Sequence, residues 1–168
     1  MSIPSNDTSA IKINHFIRQF ENFYSGENWA SDTMMDKLNI IDDKLAFQQP
    51  YPGTHSIAEL VWHVIYWRSV LINAFEKNYK YKTETVDELN FVPISDLQVK
   101  SWTTLKNELA QSQHTILKKL GDLKESDLSA EYQPGKTMEY MIQGVIHHDY
   151  YHLGQIGIVK KIINSQTS

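Results

Sequence analysis

The chain has 168 residues, 41% of them hydrophobic, a formal net charge of −4 and no cysteine. That length favours one domain, 1–168 with a core over about 10–163. The missing cysteines exclude disulfides, thiolate metal ligands and a cysteine nucleophile, and they fit a cytoplasmic protein. An acidic balance with no basic face argues against nucleic acid, and no apolar run approaches the ~18–20 residues that cross a bilayer.

The N-terminal MSIPSNDTSA carries no secretory pattern. Asn6 to Ser9 offer helix caps before AIKINHFIRQFENFY, where Ile13, Phe16, Ile17, Phe20 and Phe23 or Tyr24 recur at helical spacing. Gly26 ends that helix, and Ser31 to Asp42 predicts a shorter one. QQPYPGTH, Gln48 to His55, is a turn, because two prolines and a glycine do not continue a helix. Thr54 or Ser56 then caps a helix running to about Asn78. Tyr79 to Val99 has no clear period, contains Pro93 and is long enough for a crossover. Its KNYKYK start, Lys77 to Lys82, is the densest basic stretch and reads as a solvated helix end.

Trp102, Leu105, Leu109, Ile116 and Leu120 form the stripe of the next helix, which Gly121 closes as a C′ residue. KESDLSAEYQPGKT is a polar connection, and the last helix begins near Thr137 or Met138 and fades at INSQTS. No strand is predicted; runs such as NFVPI are isolated. The fold class is therefore all-α: a four-helix bundle with a long crossover between main helices two and three, plus a short extra helix after the first.

Helical residues advance by about 100° each. On the last helix Met141, Val145, His148, His152, Gln155, Ile156, Val159 and Ile163 share one broad face, while His147 points away. On the second long helix Ser56, Leu60, His63, Trp67, Val70, Leu71 and Ala74 share another. Three imidazoles thus enter the core from two helices. A buried imidazole without partners is costly, and one shared ion would resolve all three. His148 and His152 at i, i+4 stack on one helix face, and His63 would supply the third nitrogen. Three protein ligands and an open position are the usual form of a catalytic zinc site; imidazole also suits nickel, copper and iron. The competing reading is three hydrogen-bonded core histidines.

Other templates are missing. No glutamate follows His148, so H-E-x-x-H is absent. The Glu-x-x-His pairs of di-iron bundles, the phosphate-loop patterns and G-x-S-x-G are absent as well.

HSIAELVWHVIYWR, His55 to Arg68, followed much later by HHDYYHLGQI, His147 to Ile156, resembles the DinB-like superfamily. The second element is similar to its C-terminal H-x-x-x-H-x-G-Q-I signature, the first to the helix bearing its lone histidine. The PG-x-HSI turn at Pro52 and the W-x-x-L helix from Trp102 agree, and the likeness extends from about Ile11 to Ile163. It implies a four-helix bundle and a divalent metal, zinc or nickel foremost, on His63, His148 and His152. It also implies a homodimer, and an activity among metal-dependent transferases that use low-molecular-weight thiols such as bacillithiol, mycothiol or glutathione.

Two functions follow as expectations. In the first, the chain is a metal-dependent thiol S-transferase or hydrolase acting on a small molecule, any thiolate coming from a cosubstrate. In the second, it is a non-catalytic metal- or ligand-binding module. The catalytic residues are unknown; Glu59 and Gln155 are the weak candidates, Glu59 open to a role beside a ligand histidine, to general-base work or to plain solvent exposure, and Gln155 to a hydrogen bond with a ligand histidine or to a core polar contact. His55 belongs to a helix N-terminus. Gly154 permits close helix or ligand approach or is a tolerated small residue, with packing favoured, and Arg68 is read as a surface ion pair or an anchor for an anionic substrate. Trp62, Tyr66, Trp67 and Tyr151 line either the core or a pocket.

Overall fold

The computed structural model describes residues 8–78 and 87–166. In chain order the elements are α1 (Thr8–Tyr24), α2 (Met34–Leu38), α3 (Asp43–Phe47), α4 (Ile57–Phe75), α5 (Asp87–Asn90), α6 (Ile94–Lys100), α7 (Trp102–Gly121), α8 (Glu125–Leu128), β1 (Glu131–Gln133), β2 (Lys136–Thr137) and α9 (Met138–Gln166). Among the described residues the fold is all-α but for one small hairpin. α4 packs on both α7 and α9, and α1 packs on the same two helices.

α4 is the central helix. Its IAELVWHVIYW run is apolar around most of its circumference, so one narrow stripe would not hold it. It buries Ile57, Val61, Val64 and Ile65 against α7 and the short helices, and Leu71 and Ala74 against α1 and α9. Ser56, not Thr54, caps it: Ser56 Oγ accepts from the Glu59 amide at 3.2 Å, and the Glu59 carboxylate accepts from the Ser56 amide at 2.8 Å. This reciprocal cap fixes where the helix starts and hence the phase of every side chain along it.

α7 buries Trp102, Leu105, Leu109, Ile116 and Leu120 as its period predicts. Trp102 Nε1 donates to the Ile41 carbonyl at 2.9 Å, tying the start of α7 to the segment between α2 and α3. Three expectations change here. The helix over Ser31 to Asp42 is two short ones, each with its own cap, Thr33 and Asp42. α4 ends at Phe75, three residues before Asn78. Gly121 does not terminate α7 in the left-handed region; it is the last helical residue, and Asp122 follows at φ −86°.

The connection after α4 carries structure that no period announced. α5 and α6 lie within it, and α6 begins after Pro93, which cannot donate to a preceding turn. Part of the KNYKYK stretch falls outside the described residues. β1 and β2 pair antiparallel across Pro134-Gly135. Proline fixes the first turn position and Gly135, at φ 74°, takes the left-handed second one, the pattern of a type II turn. The Met138 amide then donates to the Ala130 carbonyl at 2.9 Å, setting the hairpin against the start of α9. Among the described residues, no helix is long and apolar enough to cross a membrane.

Candidate metal centre

α4 and α9 bring His63, His148 and His152 together. His63 stands two turns into α4, and His148 and His152 stand one turn apart on α9. One ring nitrogen from each lies within 4.8 Å of the others. His148 Nε2 is 2.9 Å from His63 Nε2 and 3.0 Å from His152 Nε2. His63 and His152 are buried, and His148 is half-buried.

The far side of two of the rings sets their tautomers. His63 Nδ1 donates to the Asn90 carbonyl at 3.3 Å, and His152 Nδ1 donates to Gln155 Oε1 at 2.6 Å. With their protons spent there, both neutral rings turn a bare Nε2 lone pair toward His148. A single His148 N–H satisfies one of them, and its own Nδ1 is buried without a partner. The charged form offers no escape. Burial pushes His63 down to about 4 and His148 down to about 3, and the neighbouring imidazoles push the same way. Burial lowers His152 too, against the raising effect of Gln155. Two bare Nε2 lone pairs therefore converge on a third imidazole that can satisfy only one of them, an unfavourable arrangement unless a cation takes the place of that proton.

The donor set fits a divalent ion. Two bonds of about 2.0–2.1 Å at a tetrahedral angle place their nitrogens roughly 3.3 Å apart, within a few tenths of the two separations from His148. The donated Nδ1–H groups are the outer contacts that orient ligating imidazoles. Aromatic rings wall the cluster. Phe91 stacks on His63 with centroids 4.3 Å apart and on His55 at 3.9 Å, and Trp67 lies 5.7 Å from the His148 ring.

A family model described as the DinB superfamily matches residues 29–156, a span that holds all three histidines. The chain belongs to the DinB superfamily. The same fold occurs in a crystal structure of a conserved protein of locus from Enterococcus faecalis. That protein is 17% identical, with a TM-score of 0.62 over 98% of this chain and 99% of that one, a likeness that speaks to fold alone. No curated protein matches the chain.

Within this DinB-superfamily fold the remaining candidates divide. Gln155 bridges two groups, accepting from His152 and donating through Nε2 to the Tyr151 hydroxyl at 3.1 Å. Glu59 is taken up by the helix cap; one oxygen receives the Ser56 amide and hydroxyl, and the other lies 3.5 Å from His55 Nδ1. His55 precedes that cap and lies outside the cluster, and His147 is exposed. Tyr66 is buried, Tyr151 is exposed, and Trp62 donates to the Leu89 carbonyl at 3.0 Å.

Two expectations are corrected. Arg68 is not on the surface: its side chain is fully buried, paired with Asp149 at 2.9 Å and donating to Gln113 Oε1 at 3.0 Å. Gly154 serves no close packing, since a Cβ there would meet nothing within 4 Å. Asn90, Phe91 and Asp149 are the neighbours of the cluster that sequence reasoning missed. Asn90 acts through its backbone carbonyl, which every residue type possesses, so no side chain marks it.

Proposed function

We propose that the chain is a divalent-metal-dependent enzyme in which His63, His148 and His152 hold the ion. Its reaction would form a bond from the sulfur of a low-molecular-weight thiol, or the oxygen of water, to an electrophilic carbon of a small molecule, while the bond from that carbon to its leaving group breaks and the leaving group takes up the proton the nucleophile gives up. The observation that carries this reading is the convergence of three neutral Nε2 atoms with two of the rings anchored from behind. An ion held by three imidazoles with a position left open acts as a Lewis acid and lowers the pKa of a bound thiol or water. The chain's own residues supply the rest. The Asn90 carbonyl and Gln155 hold two rings in their tautomers, and Phe91 and Trp67 keep apolar surface against the cluster. With no cysteine in the sequence, the sulfur nucleophile must be a cosubstrate. Zinc and nickel both suit the donor set, and a homodimer and a cytoplasmic setting complete the proposal.

The experiment is a thiol-consumption assay with model electrophiles, on protein purified without a nickel column, with elemental analysis of the same sample. Turnover that chelator abolishes and zinc or nickel restores supports the reading. A stoichiometric metal with no turnover across bacillithiol, mycothiol, glutathione and water overturns the enzymatic part.

One observation favours a second reading, a non-catalytic metal module. Glu59, the titratable candidate in the first turn of α4, is committed to the Ser56 cap, and Gln155 does not titrate, so neither stands ready as a general base. In that case the ion would raise the melting temperature and sustain no chemistry.

A further inference from the structure

We infer that the cleft beside His148 takes the apolar, aromatic end of an anionic small molecule, an aryl carboxylate in kind, with Lys136 facing the anion. A cavity of about 410 Å³ opens between α4, the hairpin and the first turns of α9, a size typical of small-molecule sites, roughly 300–1,000 Å³. Its walls are mostly apolar and aromatic: Trp67 and Val70 come from α4, Tyr140 and Met141 from α9, and Tyr132 from β1. Gln133, Gln143 and His147 add polar groups. His148 is one of the lining residues, so the cavity borders the histidine cluster.

Charge selects the occupant. No aspartate or glutamate lines the cavity, whereas Lys136 does, and Lys136 forms no ion pair with any described residue. A cationic ligand would meet an unmatched ammonium group; a carboxylate would neutralise it. Gly144 keeps the floor open, for a Cβ built there meets nothing within 4 Å. Aromatic walls favour a flat ring over a flexible chain, because stacked and edge-on contacts add to the burial of apolar area. The inference rests on the metal-centre reading for one point only, that the reacting end of the ligand lies toward His148.

Isothermal titration with 2-naphthoate, 2-naphthylmethanol and 2-naphthyltrimethylammonium tests it on the wild type, Gly144→Leu and Lys136→Glu, each checked for its melt and metal content. The wild type should bind naphthoate best and the ammonium compound worst. Gly144→Leu, whose side chain takes the ring's space, should weaken naphthoate and the alcohol by roughly tenfold or more. Lys136→Glu should weaken naphthoate by roughly threefold to tenfold and leave the alcohol unchanged. No naphthoate binding by folded wild type, equal binding of the ammonium compound, or indifference to Gly144→Leu overturns the inference. So does a wild-type dimer that Gly144→Leu dissociates without any naphthoate affinity, since the cleft would then belong to a second copy. Metal content is read separately, so loss of the metal centre and loss of the cleft give different results.

Discussion

Arg68 on α4 and Asp149 on α9 meet at 2.9 Å, Nε to Oδ2, with neither side chain exposed at all. Phe20 and Phe23 of α1 face the guanidinium at 5.6 and 5.0 Å, and Gln113 of α7 accepts from it. The pair therefore joins all four long helices, and Asp149 is the chain neighbour of His148.

Removing one partner strands a buried charge. Asp149→Ala or Arg68→Ala should cost about 3–5 kcal/mol of unfolding free energy in urea melts. The double variant Arg68→Met, Asp149→Leu should lose less than either single change, because no unpaired charge remains. A double variant that loses as much as either single change would show that the pair outperforms the apolar replacement and is net stabilising.

The ion pair also shows what the sequence makes legible. Arg68 falls in the run Val61, Val64, Ile65, Leu71, and Asp149 in the run Ile142, Val145, Ile146, Leu153, Ile156, all of them buried. One positive and one negative residue on the core stripes of two helices is the pattern of a buried pair, available from period alone. Taking Arg68 in isolation as a surface residue misses it. The four long helices and the inward histidines were legible for the same reason, since burial imposes a period of 3.6. The hairpin was signalled only by its Pro134-Gly135 turn. α5 and Phe91 were not signalled at all, because a segment held by backbone carbonyls and one stacked ring has no period to display.

If the three imidazoles share an ion, the ion stabilises the folded chain by mass action, by about 2.7 kcal/mol at a free concentration one hundred times Kd. The melting temperature should rise with zinc or nickel and fall again with chelator. His148→Ala should lose both the metal and this response, while His147→Ala, one residue away but exposed, should keep them. Calorimetry with elemental analysis decides; an unchanged metal content in His148→Ala would remove the site.

Gly154 lies inside α9 with open space where a Cβ would stand. A helix-interior glycine costs roughly 0.5–1 kcal/mol relative to alanine. Gly154→Ala should therefore stabilise by about that much in chemical denaturation. Gly157→Ala should gain less. Its Cβ would come within 2.8 Å of Lys37 Nζ, and that side chain, itself paired with Asp32, would have to move.

Acid should act on the metal-free fold through two opposed groups. His63 and His148 are lowered by burial to about 4 and about 3, and His152 is lowered as well, all from an unfolded value near 6.5. Below pH 6.5 the unfolded chain binds protons that the folded chain refuses, so stability falls as pH drops toward 4. Asp149 has the other sign. Burial raises it to about 6 from 3.8, with Arg68 pulling it back, so the folded chain binds the extra proton and stability falls as pH rises through 3.8 to 6. Three histidines against one carboxyl leave a net loss toward acid. Relative to its own value at pH 7, Asp149→Asn should show a steeper loss between pH 6 and 4, since the opposing group is gone. With metal bound, protons compete for the same Nε2 atoms, and the ion should leave as pH falls. Urea melts of the chelated protein at stepped pH, with metal release followed in parallel, give both curves. A flat stability profile from pH 6.5 to 4 would mean that the imidazoles are not held neutral by burial.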